Sequence, residues 1–156
     1  MTTISHDRAQ TVLVIATDHD RTADARLLEH VRDYERALVV APTTPSPTAR
    51  WIVDEEEAAR HAAVRARSVA ALLRSSGLEV EARLGDPDPI QAAVDAIATG
   101  PVDAVVILVA DTGRPHRPNL GSRTRRLGRP TAVIRLRPKR ARTTWTGAVT
   151  GIQSLS

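Results

Sequence analysis

Cysteine is absent from all 156 residues, which excludes disulfides, thiolate nucleophiles and cysteine-bound metals together. Phenylalanine is absent as well, tyrosine occurs once (Tyr34) and tryptophan twice (Trp51, Trp145). The core must therefore be built from Ala, Val, Leu and Ile. The same shortage removes the aromatic stacking platforms on which single-strand and RNA binders rely. No apolar run approaches the ~20 residues of a membrane-spanning helix. Met1–Gln10 is polar and mixed in charge, without the apolar core of a signal peptide, so a cytoplasmic protein is expected. A chain of this length is expected to form one domain, large enough to bury roughly 70% of its unfolded surface.

Acidic residues are missing from one region in particular. Between Asp111 and Arg142 there are eleven basic residues and a single acid, Asp111. The chain as a whole carries +4, so everything outside that region sums to −6. Basic character belongs to one segment and is not a property of the whole surface.

What is present alternates between two periods. Gly77 supplies a helix stop, and Leu78, Val80, Ala82 and Leu84 then alternate with Glu79, Glu81 and Arg83, the pattern of a strand with one apolar face. After the turn Gly85-Asp86-Pro87, Asp88 can cap a helix, Pro89 suits its first position, and Gln91 stands where a capping-box partner belongs. Ile90–Thr99 is apolar at helical spacing, Gly100-Pro101 breaks it, and Val102–Ala110 is a nearly continuous apolar run. Strand, helix and buried strand make a βαβ unit of a parallel sheet. Upstream, Thr11–Ala16 and Ala37–Ala41 read as buried strands. Between them Asp20 or Thr22 caps a short helix with the stripe Leu27, Leu28 and Val31. Pro42, Pro45 and Pro47 predict an extended loop outside any central strand. The longest helix opens on Asp54–Glu57 and ends near Ser76, with Ala58, Ala62, Arg65, Val69 and Leu72 or Leu73 on one face. A short basic helix, Gly121–Leu127, precedes Gly128, Pro130 and a fifth strand, Thr131–Leu136.

The strand ending in Gly85-Asp86-Pro87, the Ala-, Ile- and Val-rich helix, and Val102-Asp103-Ala104-Val105-Val106-Ile107 together resemble the second half of a universal stress protein domain. The resemblance is closest to divergent members from high-GC bacteria, which share the Gly-Asp-Pro-Asp-Pro turn, and it extends from about Thr11 to Leu136. It implies an α/β, doubly wound, five-stranded parallel sheet in the order 3-2-1-4-5, the three-layer sandwich shared with adenine-nucleotide α-hydrolase-like proteins. Right-handed crossovers favour the same order on physical grounds. Residues 11–137 would form that domain, preceded by an extension over 1–10. A basic, then Thr- and Gly-rich, tail would follow over 138–156. A stress-associated role and a two-fold homodimer through the fifth strand are further implications.

In such a sheet a ligand sits at the carboxyl ends of the strands where their order reverses. Thr17, Asp18, Ala110 and Asp111 line that crevice. The resemblance places Asp18 where nucleotide-binding members carry an aspartate near adenine. Those members also carry a Gly-x-x-Gly-x9-Gly-Ser/Thr loop after the fourth strand. Here Ala110 stands at the first glycine, Gly113 at the second, and seven residues rather than nine precede Gly121-Ser122. In one reading Gly113, Gly121, Ser122, Arg114, Arg117 and Arg123 hold an anion or the phosphates of ATP or AMP. In the other, Asn119 caps the short helix and Gly121-Ser122 falls in its first turn by coincidence.

No catalytic constellation is present, so a non-catalytic protein is expected, with no certain cofactor. Asp18-His19-Asp20 could ligate a metal, yet the triplet suits a hydrogen-bonded loop and helix cap better. Three functions remain: an accessory domain with degenerate adenine-nucleotide or anion binding, a working ATP or AMP binder, and a polyanion or nucleic-acid module using residues 114–142.

Overall fold

The computed structural model describes residues 10–43, 55–110 and 120–136. Strands β1 (Thr11–Ala16), β2 (Arg36–Pro42), β3 (Glu79–Gly85), β4 (Ala104–Ala110) and β5 (Thr131–Leu136) form one sheet. Its order is β3-β2-β1-β4-β5, and every pairing is parallel. The helices are α1 (Asp24–Val31), α2 (Glu55–Ser75), α3 (Pro89–Thr99) and α4 (Leu120–Thr124), with 3-10 turns at Arg21–Ala23 and Arg125–Leu127.

Alternation along the central strands separates two apolar layers. Val12, Val14, Ala16, Val39, Val106 and Leu108 face α1 and α2, where they meet Leu27, Val31, Val69 and Leu73. Leu13, Ile15, Val40, Val105 and Ile107 face the opposite way, onto Ile90, Ala93 and Ala96 of α3 and onto Leu120 and Leu127. A strand covered on both faces needs apolar residues at every position. The run Val105–Val109 is accordingly buried throughout.

Local signals do much of the remaining work. Asp20 caps the Arg21–Ala23 turn through the Thr22 amide, and Asp88 caps α3 through Ile90. Gly77 takes φ +98°, the left-handed value that ends α2.

Four local expectations need correction. Strand β3 is not half-buried: Leu84 is 43% exposed and only Val80 of the strand packs against the core. It is an edge strand, and the exposed Glu81–Arg83 pair (2.9 Å) puts charge on it in the way edges are commonly protected. Gln91 does not complete a capping box; its amide reaches Asp95, and the Asp88 amide is taken by Asp86 Oδ1 (2.8 Å). The apolar run's first two residues lie before β4, Val102 being buried there all the same. Pro42 belongs to β2 as its last residue, opposite Gly85 of β3, although β2 is a central strand. Pairing of β2 with β1 has ended by then, at Ile15 and Val40. The other residues of that proline loop, Pro45 and Pro47, lie outside the described residues.

Candidate functional site

The strand order reverses between β1 and β4, so the crevice lies at their carboxyl ends. Thr17 is fastened there twice: its amide donates to the Leu108 carbonyl (3.2 Å) and so does its hydroxyl. These bonds tie the exit of β1 to β4 and leave Asp18 at the rim, half-buried. Asp18 Oδ1 accepts the His19 amide at 2.8 Å, turning the chain away from the sheet. His19 Nε2 lies 2.9 Å from Asp24 Oδ1, and the Asp20 carboxylate is spent on its cap. The Asp-His-Asp triplet is thus a turn and a cap. Among the described residues no group of three or more His, Asp or Glu side chains could hold a metal ion.

The other side of the crevice is only partly described. Gly113, Arg114 and Arg117, together with Asp111 and Asn119, lie outside the described residues, as do residues 1–9 of the extension, Arg137 and the 138–156 tail. Gly121 and Ser122 sit exposed in the first turn of α4. A Cβ at Gly121 would meet no described atom within 4 Å, and its φ is not left-handed. Among the described residues neither packing nor backbone conformation calls for glycine at that position. Arg123 is already engaged: its guanidinium pairs with Asp88, the cap of α3. Burial raises the proton affinity of Asp88. The Arg123 hydrogen bond and charge, with the Ile90 and Gln91 amides, outweigh it and hold the carboxyl below its ordinary range.

Sequence reasoning placed Arg65 on the sheet-facing stripe of α2 but gave it no role. Its guanidinium spans the ends of two strands, Nε donating to the Ala16 carbonyl (3.3 Å) and Nη2 to the Pro42 carbonyl (2.8 Å). Desolvation lowers its proton affinity, and the nearby Asp18 charge partly restores it. A charged residue at i+3 from Ala62 and i−4 from Val69, both fully buried, was the signal available in the sequence.

Two described arginines of the arginine-rich region stand far apart. Arg123 lies beside the start of α3, whereas Arg129 Nε donates to the Val102 carbonyl (2.8 Å), ahead of β4 at the opposite end of the sheet. Two of its described arginines are therefore used within the fold.

No protein-family model matches the chain, and no curated protein matches it. Among solved structures, a universal stress protein in complex with cAMP is similar to it, with a TM-score of 0.53 and 18% identity. The match covers 82% of this chain and 97% of that one. At that identity the likeness is one of fold.

Proposed function

We propose that this chain is a universal-stress-type domain, non-catalytic, that binds adenine nucleotides or a smaller anion weakly at the carboxyl ends of β1 and β4. The observation that carries the reading is the pairing of a reversal-point crevice, with Thr17 locked and Asp18 at its rim, with an exposed Gly121 that no described contact explains. The similar structure holds cAMP, which favours an adenine nucleotide over other small ligands. Weakness follows from the shortened loop between Gly113 and Gly121 and from Arg123, whose charge Asp88 already neutralises. One ordered hydrogen bond lost to a charged group costs about 1.5–3 kcal/mol, or roughly ten- to hundred-fold in affinity.

Calorimetric titration with ATP, AMP and inorganic phosphate tests this. Weak binding of all three is expected, weakened further by Gly113→Val or Ser122→Ala. Tight ATP binding, with Gly121 and Ser122 on its phosphates in a co-crystal, would replace it with a working nucleotide binder. Salt-dependent DNA binding without nucleotide binding would favour the polyanion module. The dispersal of Arg123 and Arg129 speaks against that last outcome.

The resemblance also motivates a homodimer through β5, one edge of the sheet. Val105 donates to the Pro130 carbonyl, so alternation turns the backbone groups of Thr131, Val133 and Arg135 outward. Arg26 Nη1 covers one of them, the Arg135 carbonyl, at 3.2 Å. Pairing is thus expected through Thr131 and Val133. Sedimentation equilibrium should find a dimer that Val133→Pro dissociates; a monomer at every concentration sinks the idea. Among the described residues no helix is long and apolar enough to cross a membrane, in keeping with the cytoplasmic location proposed here.

A further inference from the structure

The ladder between β1 and β2 carries a defect whose position is readable from its register. The Arg36 amide donates to the Gln10 carbonyl, and the parallel pairing runs unbroken from Thr11 opposite Arg36 to Ile15 opposite Val40. In a parallel ladder the residues facing one partner recur every second position. The next donor after Val40 is therefore residue 42, and its acceptor is the Ala16 carbonyl. Residue 42 is proline and has no N–H to give. Continuing the same ladder, the Pro42 carbonyl would accept from residue 18, but the chain has already turned away there, with Asp18 bonded to the His19 amide. Two carbonyls at the mouth of the sheet are thus left without a backbone donor from this ladder.

Arg65 supplies both. Nε takes Ala16 and Nη2 takes Pro42. The planar fork of a guanidinium can bridge two acceptors in a way that the single ammonium of lysine cannot match. Among the described residues Arg65 makes these two hydrogen bonds, both to strand-end carbonyls, and the Asp18 charge acts on the same guanidinium. Thr17 fastens the exit of β1 to β4 on one side, and Arg65 fastens it to the end of β2 on the other, one residue from where the Asp18 segment turns off the sheet.

We propose that Arg65 is a positioning residue for the crevice: it replaces the ladder bond that Pro42 cannot donate, and so sets the place of Asp18 toward a bound nucleotide. The ligand half of this inference rests on the nucleotide reading above; the strand-end half does not. The Ala16 and Pro42 carbonyls are both taken by the guanidinium and so are not left as acceptors for a ligand.

The test reads amide hydrogen exchange at Ala16, whose amide closes the last β1–β2 ladder bond, alongside AMP affinity by calorimetry. Arg65→Met is expected to speed Ala16 exchange about tenfold and weaken AMP about tenfold, as loss of a charge-assisted bond implies. Arg65→Lys should recover little of either. Pro42→Val restores an N–H to the Ala16 carbonyl, so the double variant Pro42→Val/Arg65→Met should regain slow exchange. Unchanged exchange in Arg65→Met overturns the proposal, as does a double variant that exchanges as fast as Arg65→Met. Faster exchange with AMP affinity intact overturns the positioning role and leaves Arg65 a strand-end staple. Should the unaltered protein bind no nucleotide, the functional reading falls, and Ala16 exchange alone decides for or against the replacement of the Pro42 bond.

Discussion

Gly85→Val is expected to destabilise the protein by about 1–3 kcal/mol, the usual cost of forcing extra atoms into a packed core. A Cβ built on Gly85 would stand 2.5 Å from Val40 Cγ1 and 3.1 Å from the Ala92 Cβ. Neither neighbour can move cheaply. Val40 is 2% exposed and β-branched, so its rotamer is confined by the layer around it. Ala92 is 2% exposed and lies in the first turns of α3, so relief there means moving the helix itself. The glycine lets α3 settle against the end of the sheet directly after the turn from β3. Gly77→Ala, by contrast, meets no described atom within 4 Å and is strained only through its positive φ, costing about 1–2 kcal/mol. Urea denaturation of the two variants distinguishes these causes. A Gly85→Val midpoint within error of the parent would mean that α3 does not approach β3 as described.

Asp88 carries a second large effect, separable into two parts. Its Oδ1 accepts the Ile90 amide at 3.0 Å, and its Oδ2 pairs with Arg123. Asp88→Ala removes both and should cost about 1–2 kcal/mol, mainly from the lost cap. Asp88→Asn keeps a competent cap and removes only the charge, a half-exposed pair of the kind worth about 0–1 kcal/mol. The two variants therefore differ in pH dependence. The folded-state affinity of Asp88 for its proton is depressed, so its charge contributes full stability above the ordinary carboxylate value of 3.8. That contribution fades as the pH falls through the folded value beneath it. The gap between parent and Asp88→Asn should be constant from pH 7 to about pH 4 and close at lower pH. A gap that widens on acidification would show that Arg123 is not the partner. The same pair links α3 to α4, so freeing Arg123 through Asp88→Asn is also expected to strengthen phosphate binding if Arg123 borders the crevice.

Several features of this protein are local in origin, and the sequence alone was enough to place them. The period of two in Glu79–Gly85, the helical spacing of Ile90–Thr99 and the two-sided apolar run before Ala110 each depend on residues within a few positions of one another. The punctuation by Gly77, Asp88-Pro89 and Gly128 is equally local, because caps and left-handed turns are properties of adjacent dihedrals. Parallel order then follows from chain geometry, since right-handed crossovers leave few ways to lay five such strands side by side. Thr17 and Asp18 could be assigned to the crevice for the same reason: they follow the strand at which the order reverses.

Other features required distances between parts of the chain far apart in sequence. Leu84 sits in an alternating pattern, but only the third dimension shows that β3 is an edge whose outer end keeps Leu84 in solvent. Gln91 had the right spacing for a capping box, yet Asp86 reached the amide first. Arg123 looked available to an anion until α4 was laid beside α3 and met Asp88, 35 residues earlier. Arg123 and Arg129 are six residues apart in the basic run, yet they stand at opposite ends of the sheet once the layers are packed. Arg65 and Pro42 are the clearest case, 23 residues apart. A proline shows in sequence that a donor is missing, but which carbonyl goes short depends on the strand register. Whether a side chain from a different helix can reach that carbonyl depends on how the layers pack.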